Sequence, residues 1–194
     1  MSEKAVKHAQ SLFPENDIEI YKMNLEKIEF ADGYFDTVCL SNSMHHFENI
    51  DKVLAELMRV LKPGGLVLIV EMYKDGVQNA AQQTHIMMHH WIAVIDTLHG
   101  NYHRETYNRD EIIGFAQRLP LEHLEMEDFN YPVDNPKDPH EIEPLIKNVQ
   151  DAMKRCETIP SSSAVCNEGN HIIERMKNVG VMTATKLFIT GIKK

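Results

Sequence analysis

"FADGYFDTVCLSNSMHHFENIDKVLAELMRVLKPGGLVLIVEMY", residues 30–73, decides the fold, because it reads as strand, loop, helix, glycine turn and strand. "DTVCLS" (36–41) is a nearly continuous apolar run, the pattern of a buried parallel strand. Over residues 50–61, Ile50, Val53, Leu54, Leu57, Met58 and Leu61 recur at helical spacing, with Asp51 early and Arg59 late to match the helix dipole. "KPGG" should end that helix sharply. Pro63 disfavours a helical Lys62, and Gly64 and Gly65 permit a reversal into "LVLIVEM" (66–72) as a second buried strand. Two parallel strands joined by a helix form a right-handed crossover, so the segment predicts an α/β domain.

The rest of the 194-residue chain is consistent with one ordinary globular domain, at 43% hydrophobic and 25% charged residues. A formal charge of −9 and the lack of a long Lys or Arg run argue against a nucleic-acid partner. No signal peptide and no apolar run long enough to span a bilayer can be read, so a membrane association is not expected. Cys39, Cys156 and Cys166 lack CxxC spacing, and the expectation is a reduced, cytoplasmic protein.

Working outward, "SEKAVKHAQSLF" (2–13) predicts an amphipathic helix with Ser2 as N-cap, stopping at Pro14. "IEIYKM" (18–23) suits a short strand. Residues 78–98 predict a helix rich in Met and His that ends at Gly100, and 108–119 another capped by Asn108. Weak alternation marks a strand near 121–131. A proline-rich linker (135–144) leads into a polar helix near 145–156. "HIIERMKNVG" (171–180) closes as a helix on Gly180, and "ATKLFITGIKK" (184–194) ends the chain as a strand within 183–192.

These residues resemble the class I S-adenosylmethionine-dependent methyltransferases of the small-molecule type. "FADGYFDTVCLSNSMHHF" is similar to the family's fourth-strand motif, and "VLAELMRVLKPGGLVLIVE" to the helix, glycine turn and fifth strand that follow. "SEKAVKHAQ" is similar to the helix after the second strand, so the match runs from Ser2 to Met72. Ile172 to Lys193 resembles the last helix and antiparallel strand more weakly. The resemblance implies a partial Rossmann-like sheet, mostly parallel with an antiparallel last strand, and helices on its faces. It also implies one domain over 1–194: a cofactor-binding core at 1–72, a variable substrate-side region at 73–170, and a C-terminal helix and strand at 171–194.

The family's first unit, a strand, a GxGxG loop, a helix and a strand ending in a ribose-binding acid, has no counterpart here. Nine glycines include no GxG, and the acid would fall one place before Met1. The expectation is a truncated core. In the family's strand order, 3-2-1-4-5-7-6, the absent strands stand between "IEIYKM" and "TVCLS", so "TVCLS" should be an edge that either pairs with "IEIYKM" or joins two chains as a homodimer or with a partner chain.

The resemblance carries site residues over as follows. Asn24 stands where an Asp usually accepts from the adenine amino group of S-adenosylmethionine, with the N–H of Leu25 donating to the ring. Ser41 and Asn42, at the carboxyl end of a strand, would offer carbonyls to the cofactor's amino group. His46 is the pocket-side member of the His45–His46 pair, whose other member packs under the "FENI" turn. His46 and His103 are candidate bases by position, and the loop "HGNYHRETY" (99–107) is the candidate substrate contact. The implied activity is methyl transfer to a small molecule; the alternative is a non-catalytic remnant or subunit that pairs with another chain.

Eleven histidines raise a metal reading. His85 and His89 are four apart on a helix, and His99 and His103 repeat the spacing. Carboxylates at fixed spacing and cysteine ligands are lacking, so no metal is expected, and these four side chains should not converge. Trp91, Met87, Met88, Ile92 and Ile95 form a stripe expected to pack against other helices rather than to cage a substrate.

Overall fold

The computed structural model describes residues 3–13 and 18–194. In chain order it runs α1 (Glu3–Leu12), β1 (Phe35–Ser41), a 3-10 turn (Met44–His46), α2 (Ile50–Val60), β2 (Leu61–Met72), α3 (Ala80–Leu98), α4 (Arg109–Gln117), β3 (Leu121–Phe129), α5 (Pro139–Cys156), α6 (Ser163–Val179) and β4 (Lys186–Lys193). The four strands form one sheet in the order β1-β2-β4-β3. β1 and β2 pair in parallel, and β4 runs antiparallel to both of its neighbours. Three strands therefore point one way and the last strand opposes them, as the resemblance implies.

Beyond the turn, "KPGG" behaves differently from its sequence reading. The chain is already extended at Leu61, and β2 runs without interruption to Met72. Phe35 pairs with Leu61 while Thr37 pairs with Leu66, so residues 62–65 bulge opposite Asp36. Glycine at 65 follows from this close approach, since a Cβ there would lie 2.9 Å from the carbonyl oxygen of Asp36. Lys62 Nζ reaches the same residue's carboxylate at 2.6 Å.

One face of the sheet is buried by α2 and α4. Val38, Leu40, Val67, Ile69, Leu187 and Ile189 meet Val53, Leu54, Met58, Ile112 and Ala116 in the main core. Lys193 crosses from β4 to donate to the carbonyls of Met58 and Leu61 at 2.6 and 2.7 Å, and so satisfies the carboxyl end of α2. The opposite face stays partly open: Leu66, Leu68, Val70, Thr190 and Ile192 are half-buried, and Thr37, Cys39, Ser41 and Phe188 are exposed.

The strand expected at 18–23 does not form. Ile18 and Tyr21 are exposed, at 47% and 55%, and β1 is the edge next to which nothing pairs among the described residues. A strand needs a neighbour for its N–H and C=O groups, and this segment has none. Its continuation is nevertheless anchored. Arg59 donates to the carbonyls of Phe30 and Ile28 at 2.9 and 2.8 Å, and Ile28 N–H donates to Glu56 Oε2 at 2.8 Å. The proposed N-cap Ser2 lies outside the described residues.

A second core lies in the layer of α3, α5 and α6, where Met88, Trp91 and Ile95 pack on Ile142, Val149, Ile172 and Met176. Four members of the expected stripe, half-buried Ile92 included, are thus packed between helices, and Trp91 Nε1 donates to Val165 O at 2.7 Å. Met87 faces outward at 41% exposure. The polar helix begins earlier than its periodicity suggests, at Pro139. Asp138 caps it, and proline is tolerated in a first turn whose N–H groups have no helical partners. Cys156 ends α5 and Cys166 lies in the first turn of α6, and the hairpin brings their Cα atoms to 5.6 Å in a disulfide. The expectation of three reduced cysteines is corrected: Cys39 alone is free. Among the described residues no helix is long and apolar enough to cross a membrane.

Candidate active site

The carboxyl ends of β1 and β2 converge on the short turn Met44–His46, and one buried acid organises it. Glu71, at the end of β2, is fully buried. Its Oε2 accepts from the backbone N–H groups of Ser43 and Met44 at 2.9 and 2.8 Å. Its Oε1 accepts from His45 Nδ1 at 3.0 Å and from Met72 N–H at 3.2 Å. A carboxylate with both oxygens engaged tolerates burial, and here it pins the turn to the sheet. Glu71 was not singled out by the sequence reading, although it is the lone acid in the apolar run "LVLIVEM".

Around this turn lies a cluster of histidine rings. His45 lies 4.4 Å from His46, 4.6 Å from His89 and 5.5 Å from His103 between ring centroids, and His46 lies 4.0 Å from His103. His103 is buried and its Nδ1 bonds Asp96 Oδ2 at 2.7 Å, while Asp96 also pairs with Arg155. Burial alone would raise the Asp96 carboxyl, but the bonds from Arg155 and His103 outweigh it and hold it below its ordinary value. The loop carrying His103 is fixed from both sides, through Arg104 N–H to His45 O at 3.1 Å and Thr97 Oγ1 to His103 O at 2.9 Å. Desolvation, followed by its histidine neighbours, pushes the His89 imidazole down to about 2. The same causes bring His46 to about 4, although one side of its ring faces solvent. Both rings are neutral near pH 7.

Two concavities meet here. A groove of about 840 Å³ is lined by Met23, Asn24, Leu25, His46, Asn101 and Tyr102, among others. A smaller cavity of about 330 Å³ is lined by Asn42, His45, His46, Met72, His85, His89, Thr183 and Lys186. His46 lines both. Of the residues expected from sequence, Asn24, Leu25 and His46 share the groove, and Asn42 joins His46 in the cavity. Ser41 ends β1 and lines neither, and His103 lies buried behind His46.

Local geometry refines each position. Asn24 sits in a turn, with its side-chain oxygen accepting from Glu26 N–H at 2.9 Å, which leaves one lone pair. Asn42 adopts a left-handed φ of 44°, and its buried Oδ1 has no partner. In the 99–107 loop, Asn101 and Tyr102 face the groove, whereas Thr106 and Tyr107 are buried. His99 and His85 stay out of the ring cluster: His99 Nε2 lies 3.2 Å from Arg155 O, and His85 Nδ1 accepts from Ala184 N–H at 3.4 Å. The four histidines expected to stay apart thus divide, with His89 and His103 brought together by His45.

Comparison with known proteins adds the lineage. Residues 1–69 match the methyltransferase domain family model. The ubiquinone/menaquinone biosynthesis C-methyltransferase UbiE of Francisella tularensis is 41% identical over 58 residues, which cover 30% of this chain and 23% of that protein. The chain therefore aligns with about a quarter of the length of these curated relatives. The fold is similar to that of the YcgJ protein of Bacillus subtilis, with a TM-score of 0.59 and 17% identity over 100% of this chain and 80% of the other. It is also similar to a SAM-dependent methyltransferase of Thermotoga maritima, with a TM-score of 0.54 and 10% identity over 97% and 70% of the two chains. Residues 1–69 are thus similar in sequence to the methyltransferase domain family, and the described residues share the fold of these solved proteins.

Proposed function

We propose that the protein transfers a methyl group from S-adenosylmethionine to a small-molecule acceptor. The observation that carries this reading is that His46 lines both the groove and the cavity, so a donor in one and an acceptor in the other would meet at its ring. The residues present suit the adenine and methionine ends of the cofactor. Asn24 and Leu25 stand in the groove, and Asn42 Oδ1, in the cavity that adjoins it at His46, is a buried acceptor in need of a donor, within reach of an ammonium group extending from the groove past His46. When bound, the cofactor supplies a methyl group already activated on a sulfonium, so the protein's own work is alignment and removal of a proton. In this reading His46 takes that proton, a choice supported by its ring lining both concavities while His103 is buried behind it. A cavity of about 330 Å³ suits an acceptor of metabolite size.

No GxG occurs in these 194 residues, so the ribose and carboxylate contacts such a loop gives are not offered by this chain. Titration calorimetry with S-adenosylhomocysteine is the test. The expected affinity is weak, in the millimolar range, lowered further by Asn24→Ala and unchanged by His85→Ala. Binding that ignores Asn24→Ala, or no heat up to saturating ligand, would overturn the reading.

A second reading, of a subunit that pairs with another chain, is favoured by one observation. β1 has a strand on one side only, and Thr37, Cys39 and Ser41 stand exposed beside the half-open sheet face. Sedimentation that gives a monomer at all concentrations would count against self-pairing, and co-purification without a second chain would remove hetero-pairing.

A further inference from the structure

We propose that His45, His89 and His103 form a binding site for a divalent transition metal, with zinc as the reference ion. The inference goes beyond methyl transfer and does not depend on it. One nitrogen from each of the three rings lies within 4.8 Å of the others, and this is the one such group of three or more ligand-type side chains among the described residues. In a tetrahedral site with Zn–N bonds of about 2.0–2.1 Å, imidazole nitrogens stand about 3.3 Å apart. Each nitrogen would need to move inward by at most about 0.8 Å, within the reach of a small χ2 rotation.

Two further observations point to a ligand. His103 Nε2 and His89 Nδ1 are both buried without any hydrogen-bond partner, and His103 is more than nine-tenths buried. An unsatisfied buried imidazole nitrogen is costly, and a cation that accepts its lone pair removes that cost. The outer contacts match as well. His45 Nδ1 is committed to Glu71 and His103 Nδ1 to Asp96, so each ring is held in the tautomer that offers Nε2. A carboxylate behind a ligating histidine fixes its orientation and raises its basicity, and two of the three ligands have one here. Glu71 and Asp96 also bring negative charge to the ion, though Arg155 shares Asp96.

Three imidazoles leave one position of a tetrahedron open. His45 and His89 also line the cavity shared by Asn42 and His46, so an oxygen or nitrogen atom of an acceptor bound there would be near enough to take that position. The site draws on three separate segments: the turn after β1, the middle of α3 and the loop after α3.

The test is metal content and coordination in the full 194-residue chain. The protein is stripped with chelator, dialysed against zinc and analysed for metal, and separately titrated with cobalt(II) while its visible spectrum is followed. One equivalent of zinc and an intense cobalt band of tetrahedral type are expected. His89→Ala should weaken binding at least hundredfold, Asp96→Asn ten- to hundredfold, and His85→Ala and His99→Ala should leave it unchanged. Zinc-edge X-ray absorption of the wild type needs no variant and should count three imidazole nitrogens at about 2.0 Å. Stoichiometry below a tenth, loss equal in His85→Ala and His89→Ala, or a shell without imidazole would each overturn the proposal.

Discussion

Glu71 Oε1 lies 3.0 Å from His45 Nδ1, and both side chains are buried, at 0% and 1% exposure. The pair ties the end of β2 to the turn after β1, and with it the backbone N–H groups of Ser43 and Met44. The parallel strands and the turn that carries the site are thereby one mechanical unit. His45 and Met72, which line the cavity, are both held by this carboxylate.

Replacing it should therefore be costly. Glu71→Gln keeps the shape but turns an NH2 group toward backbone donors and leaves at least one buried N–H unpaired. A loss of about 2 to 4 kcal/mol is expected from the cost of breaking a buried charged hydrogen-bond network. Urea unfolding of the two proteins measures it, and a difference under about 0.5 kcal/mol would show that the network carries little.

Glu56 and Arg59 govern the acid limb. Bonds from Arg59 and from the Ile28 N–H hold the Glu56 carboxyl down at about 2, below its ordinary value. Because the folded value is depressed, the stabilisation is fully present above about pH 4.5 and is lost as the pH falls toward 2. Glu56→Gln should lower the melting temperature at pH 7 and narrow the gap to wild type below pH 4. A gap that stays constant from pH 7 to pH 3 would contradict this linkage.

Gly180 closes α6 at φ 92°, ψ −179°, a region open in practice to glycine alone, and Val181 N–H then donates to Pro136 O at 2.8 Å. A Cβ at this position would lie 2.6 Å from the carbonyl carbon of Pro136. Gly180→Ala combines backbone strain with a clash against rigid backbone, and about 2 kcal/mol or more should be lost. Equilibrium denaturation that finds under 1 kcal/mol would mean the 136–138 turn yields easily.

The Cys156–Cys166 bridge closes a short loop between α5 and α6. The chain-entropy model gives about 2.5 to 3 kcal/mol for a loop of this length. Thiol titration of the unfolded protein should find one free group before reduction and three after it. Reduction should lower stability by about that amount, and three thiols without reductant would show the bridge absent in solution.

How much of this was legible from sequence varies by segment. The crossover of β1, α2 and β2 was readable because its signals are local: apolar runs, helical spacing and a proline–glycine break lie within 44 consecutive residues. Gly180 at a helix end and Asn108 before one were readable for the same reason. "IEIYKM" has strand alternation, yet forms none, since pairing is a property of two segments and its neighbour is absent among the described residues. Asn24 and Asn42 could be placed only through resemblance to a family, and the structure adds a turn bond to one and an unpartnered oxygen to the other.

The histidines separate the two kinds of information most clearly. Sequence by itself determined that His85 and His89 share a helix face, because four residues make about one turn. It could not determine that His89 would meet His45 and His103, or that Glu71 and Asp96 would stand behind two of the rings. Those contacts span 7 to 58 positions and depend on how β2, α3 and the following loop fold back on one another. Burial then strips water from rings that in an isolated peptide would be solvated, and it is this loss of solvent that leaves their nitrogens in need of a partner.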